Sequence, residues 1–167
     1  MADEQANIER PFTAFNFKVV FTREGEDEPL CAAAFAECDG LEVTMQPKTI
    51  QEGGNNVTQI HLVGPLTYGQ LSLKRGMTSA FDLWTWYDDV CRREHYGLRV
   101  DGIVVMLASQ RAPEEEGAGE VEQATFLLSR CLPVRIKAPA LNAKDGQIAV
   151  EELQVAYERL KIVSLRA

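Results

Sequence analysis

A two-residue periodicity constrains this chain more than any other feature. From Gln70 to Lys74, Leu71 and Leu73 share one side while Gln70, Ser72 and Lys74 share the other. Successive side chains of a strand point to opposite faces, so this pattern gives a strand with one dry face and one polar face. Similar runs recur along the chain. Phe15, Phe17, Val19 and Phe21 alternate within Phe12–Phe21, and Leu41, Val43 and Met45 alternate after a small-residue run from Leu30 to Cys38. Between Val57 and Val63, Thr58, Ile60 and Leu62 oppose Gln59 and His61, and this run is expected to form a β-hairpin with the one at Gln70. Leu98–Ser109 and Ala124–Lys137 supply two more strands, and Pro133 in the second predicts an edge or a bulge.

Turn residues separate the runs. They include the acidic Glu24–Pro29, Asp39-Gly40, Glu52-Gly53-Gly54-Asn55-Asn56, Gly64-Pro65 and Asp145-Gly146. Gly and Asn tolerate positive φ, and Pro removes an amide donor, so each segment favours a change of direction. The polar region from Gln46 to Asn56 is long enough for an exposed loop or an extended hairpin. Gln110–Gln123, with Pro113 and the run Glu114-Glu115-Glu116, reads as a solvated loop.

One helix is expected after Gly76. Ser79 is its candidate N-cap, with Asp82 near the positive end of the dipole. Ala80, Leu83, Trp84, Tyr87, Val90 and Cys91 trace one face, which leaves Phe81 and Trp86 off it. These two either sit against a loop or supply a contact with a neighbouring subunit, with Trp86 the candidate, since aromatic residues are enriched at interface centres. The segment from Ile148 fits either a helix (Leu153, Ala156, Tyr157, Leu160) or a strand (Ala149, Glu151, Leu153, Val155, Tyr157). In total, about seven or eight strands against one helix favour a β-barrel or sandwich.

Composition narrows the function. At 167 residues, one domain from 12 to 167 behind a loose arm at 1–11 is the natural division. Acids outnumber bases 25 to 17, for a net charge of −8. That argues against sequence-specific nucleic-acid binding, and many copies around a channel would repel nucleic acid. No apolar run reaches the roughly 20 residues of a membrane span, and the polar start is not a signal peptide, so synthesis in a cytoplasm without membrane anchoring is expected. Cys31, Cys38, Cys91 and Cys131 form no CxxC pair, and His61 and His95 are the only histidines, so neither metal nor cofactor is expected. Asp88, Asp89 and Glu94 fall on the exposed side of the helix, and Glu151 and Glu152 are strand neighbours on opposite faces. No catalytic pair emerges, and an enzyme is not expected.

Six segments, in order, resemble the contractile-phage tail tube family. They are FNFKVVF, FAECDGLEV, QEGGNN, GPLTYGQLSLKRGMT, LWTW and PVRIKAPALNAKDGQIAVEELQVAYERL. Gln51 stands where Arg is commoner in the family, and Gly64 and Pro65 are in reversed order. The resemblance implies a β-barrel of two packed antiparallel sheets with one flanking helix, and a strand rather than a helix from Ile148 to Tyr157. It implies hexameric rings, stacked into a hollow tube inside a contractile sheath, with edges paired between copies. The implied partners are further copies, the sheath protein, baseplate, tube-initiator or terminator proteins, and cargo or a spike in the lumen. Production in a bacterial cytoplasm and incorporation into a phage tail or a releasable tail-like particle would follow. The expected inter-subunit interface comprises Gln46, Lys48, Gln51, Glu52, Gly53, Gly54, Asn55 and Asn56, with Trp86. The long acidic loop keeps an alternative open, a specialised initiator ring on the baseplate.

Overall fold

The alternating runs fold into strands, several of them shorter than the runs themselves. The computed structural model describes residues 14–23, 26, 28–54, 57–92, 97–108, 122–142, 144, 146 and 148–163. The expected N-terminal arm and nearly all of the acidic loop fall outside these. The strands in chain order are β1 (Phe17–Arg23), β2 (Pro29–Ala33), β3 (Glu37–Asp39), β4 (Val43–Met45), β5 (Lys48–Ile50), β6 (Ile60–Leu62), β7 (Leu66–Tyr68) and β8 (Gln70–Gly76). After the helix α1 (Asp82–Cys91) come β9 (Val100–Leu107), β10 (Glu122–Lys137), β11 (Val150–Ala156) and β12 (Arg159–Val163).

One antiparallel path runs β2-β1-β9-β10-β11-β8-β3, with β12 also on β10. β10 is its spine. Its first half pairs with β9 and β12, the register shifts between Leu128 and Cys131, and its second half pairs with β11. Arg130 takes up that shift with a positive φ of 56°. A second shift at Pro133 is the expected bulge, where proline has no amide to donate. β2 and β3 are the two ends of the path, although only residues 34–36 separate them in the chain. The sheet therefore curls back on itself as an open barrel, and both halves share one core. Val19, Phe21, Val104 and Leu128 come from one half; Leu71, Leu73, Leu153 and Val155 come from the other.

The structure corrects the expected pairings in two places. Val57–Val63 does not pair with Gln70–Gly76; β6 pairs with β5, while β8 pairs with β11 and β3. The Leu30–Cys38 run breaks into β2 and β3, and Phe35 turns into the core between them. The ambiguous C-terminal segment is β11, with Leu153 opposite Leu73 and Val155 opposite Leu71.

The helix begins at Asp82, and Phe81 occupies its N-cap in the left-handed region (φ 48°) with no side-chain cap, so Ser79 does not cap it. Its buried residues are Leu83, Trp86 and Val90. Trp86 is 0% exposed and its ring lies 4.9 Å from that of Phe21. It is a core anchor and leaves no surface for a neighbouring subunit, contrary to expectation. In ten residues, an apolar spacing of i+3 and one of i+4 both look like a helix face, so periodicity alone chose Trp84 and Tyr87 over Trp86.

Candidate assembly interface

Residues 43–68 leave the barrel as a two-stranded arm. β4 pairs with β7 (Val43 opposite Tyr68, Met45 opposite Leu66), and β5 pairs with β6 (Lys48 opposite Leu62, Ile50 opposite Ile60). Between the two ladders lie Gln46-Pro47 on the outgoing strand and Val63-Gly64-Pro65 on the return. This unequal spacing makes a bulge, and such bulges bend a ribbon. One face of the β4–β7 ladder is apolar, and one face of the β5–β6 ladder groups Ile50, Ile60 and Leu62 with Lys48. Val43, Met45, Ile50, Ile60, Leu62 and Leu66 are all exposed, and Val57 and Val63 more so at 92% and 85%. Isolated apolar side chains on a surface are ordinary, but a series along one projecting element marks an interaction site.

The expected interface residues Gln46, Lys48, Gln51, Glu52, Gly53 and Gly54 all lie exposed on this arm. Asn55 and Asn56 lie outside the described residues. Gly54 has φ +93°, which side chains rarely adopt, whereas Gly53 has no positive φ and open space around it, so only Gly54 needs to be glycine on backbone grounds. The arm's apolar residues were not among those expected, because alternation alone assigns them to a buried face.

The root of the arm is fixed by the end of β11. The Tyr157 hydroxyl accepts the Glu42 amide at 2.9 Å and lies 2.8 Å from the Gly40 carbonyl, to which it can donate its proton. Gly69 returns the chain by donating its amide to the Glu42 carbonyl at 3.0 Å. Gly40 has φ +92°, and a Cβ there would sit 2.0 Å from the Gln70 carbonyl oxygen. The arm thus leaves the barrel at a packed, hydrogen-bonded junction.

Under the helix lies a buried ionic cluster. Arg75 on β8 faces Glu151 on β11 in register, and its Nε donates to Glu151 Oε1 at 2.7 Å. Its Nη1 donates to Asp82 Oδ2 at 3.2 Å, its Nη2 pairs with the other Asp82 oxygen, and its guanidinium lies 5.8 Å from the Phe35 ring centre. Trp84 completes the cluster by donating Nε1–H to Glu151 Oε2 at 2.9 Å. Burial alone would raise the Asp82 carboxyl, but hydrogen bonds from Arg75 and Cys31 and the Arg75 charge outweigh it and hold the group below its ordinary value. Glu152, on the opposite face of β11, takes no part. These groups join two strands to the helix start.

All four cysteines are free. Burial pushes Cys31 and Cys131 up to about 12 and Cys38 up to about 11, so these three stay protonated at neutral pH. Among the described residues no group of three His, Cys, Asp or Glu side chains could hold a metal ion, and no helix is long and apolar enough to cross a membrane.

Comparison with known proteins connects this geometry to a family. Residues 13–161 match the family model described as T4-like virus tail tube protein gp19. No curated protein sequence matches the chain. A chain in the anti-feeding prophage baseplate, solved with six-fold symmetry, superposes with a TM-score of 0.80 at 26% identity, covering 96% of this chain and 100% of that one. A chain of the sheath–tube complex of an extracellular contractile injection system superposes at 0.72 with 18% identity, covering 99% of this chain and 99% of that one. The Hcp1 protein of an E. coli pathovar shares the fold more distantly, at 0.50 and 13% identity, over 92% of this chain and 94% of that one.

Proposed function

The chain belongs to the T4-like virus tail tube protein gp19 family, and from that premise we propose that it is a ring-forming structural subunit of the inner tube of a contractile injection system or phage tail. It stacks as hexameric rings inside a contractile sheath, and it has no catalytic role. The observation that supports this reading is the arm. Among the described residues nothing covers its apolar faces in a single copy, and a second copy of the same chain is the cover a self-assembling tube supplies. Its other partners are the sheath outside, baseplate or terminator proteins at the ends, and cargo or a spike in the lumen. It is made in a bacterial cytoplasm and carried in the particle.

A second reading is a specialised ring at the baseplate. The baseplate chain is more similar to this one than the sheath–tube chain is, in both identity (26% against 18%) and TM-score (0.80 against 0.72). Copy number separates the two. In purified contractile particles, mass spectrometry of this chain against the sheath protein gives near-equal amounts for a repeating tube subunit. A single ring gives a small fraction of the sheath signal. Interface use of the arm is tested by Gly54→Val, which places a β-branched residue at a positive φ. It should leave a folded monomer that forms no tubes, and normal tubes from that variant would remove the arm from the proposal.

A further inference from the structure

We propose that charge selects how the sheet edges of neighbouring copies meet in the ring, the acidic edge of one copy against the basic edge of the next. This rests on the ring-forming reading above and adds the surfaces and their selectivity. The half-sheet of β3, β8, β11 and the second half of β10 turns Leu71, Leu73, Leu153 and Val155 toward the core. Its other face carries charges in register. One row across the strands reads Glu37, Lys74, Glu152, Lys137, and the next reads Asp39, Ser72, Gln154, Arg135. Both rows start acidic on β3 and finish basic on β10.

Both ends are unpaired edges among the described residues. β3 ends the sheet path, and the pairing of β10 with β9 stops at Cys131 opposite Val100, so Leu132–Lys137 has β11 on one side only. At the β3 edge Glu37 accepts from Lys74 of its own copy at 2.8 Å, and in the interior Gln154 donates to Glu152 at 3.2 Å. At the edges, among the described residues Asp39 accepts only the adjacent Gly40 amide, at 2.8 Å. Among the described residues neither Arg135 nor Lys137 closes an ion pair.

Strand direction fits the same joint. The strands alternate in sense, so β3 and β10 run oppositely. Rotation about a ring axis preserves sense, so β3 of one copy meets β10 of the next as an antiparallel pair, like every other pair in the sheet. Charged edges often only guard a strand against unwanted pairing. Here the signs differ at the two ends. β3 against β3, or β10 against β10, brings like charges together, whereas β3 against β10 brings opposite charges together. The favoured contact is head-to-tail, the kind that closes rings.

The test uses the full-length chain, with sedimentation and electron microscopy reading assembly and a urea melt reading the fold. Arg135→Glu with Lys137→Glu should abolish rings while the monomer stays folded. Glu37→Lys with Asp39→Lys should do the same, and all four changes together should restore rings. Arg135→Gln with Lys137→Gln, a milder change, should weaken assembly without loss of fold. Wild-type assembly should also weaken between 0.1 and 1 M salt, as screening shortens from about 10 Å to about 3 Å. Wild-type-like rings from either reversed or neutral pair, or a folded four-residue swap that stays monomeric, would overturn the inference alone. A wild-type chain that forms no rings, even with its sheath present, overturns the ring-forming reading on which it stands.

Discussion

β8 and the arm have the same sequence pattern and opposite fates. In β8, Leu71 and Leu73 alternate with polar residues and are 0% exposed. In the arm, Ile60 and Leu62 alternate in the same way, and both remain open to solvent. The difference is the neighbour. β8 lies between β11 and β3 with the rest of the barrel over its apolar face, whereas among the described strands β5 and β6 pair only with each other. A two-stranded ribbon cannot bury either face by itself. Alternation therefore records that one face is apolar, and it does not record whether anything in the same molecule covers that face.

The contrast can be broken most strongly at the barrel. Trp86→Ala should cost about 3–5 kcal/mol in urea unfolding of the monomer, because it empties a fully enclosed site between the helix and Phe21. A loss near zero would mean the helix is not part of the core. Glu151→Ala comes next, at about 3 kcal/mol, since Arg75 loses a buried counter-charge and Trp84 loses its acceptor. Arg75 keeps Asp82, which limits the damage.

The arm's two positive-φ glycines sharpen the comparison further. Gly40→Ala at the root should cost about 2 kcal/mol or more, because backbone strain is joined by a Cβ pressed onto the Gln70 carbonyl. Gly54→Ala at the tip meets nothing within 4 Å and should cost about 1 kcal/mol, from backbone conformation alone. Equal melting points for the two would show that the root is not packed as described. The smallest effect on the monomer belongs to Leu62→Ser, which should shift its unfolding by no more than about 0.5 kcal/mol yet reduce assembly. A large loss of monomer stability there would mean that the arm folds onto its own barrel.

Much of the barrel was legible from local pattern. Leu71 and Leu73, Val19 and Phe21, and the bulge at Pro133 follow from alternation and from proline's missing amide. The strand from Val150 came from the family resemblance, because its periodicity fits a helix equally well. Less of the site was legible. Gln46 to Gly54 do lie on the projecting element, but the apolar residues beside them read as core. Trp86 was misplaced because a ten-residue helix offers too few turns to fix its buried face.

The sequence by itself determined which residues alternate, where the chain must turn, the excess of acid over base and the family to which the chain belongs. These are local or cumulative properties that each residue carries wherever it is placed. The tertiary structure decided that β6 returns along β5, that Trp86 rather than Trp84 enters the core, that Arg75 meets Glu151 and Asp82, and that acidic and basic residues lie at opposite edges of one half-sheet. Those facts depend on which distant segments become neighbours. Strand pairing and helix rotation are chosen by the total apolar surface buried and the polar groups satisfied across the whole chain, and no single stretch of sequence contains that sum.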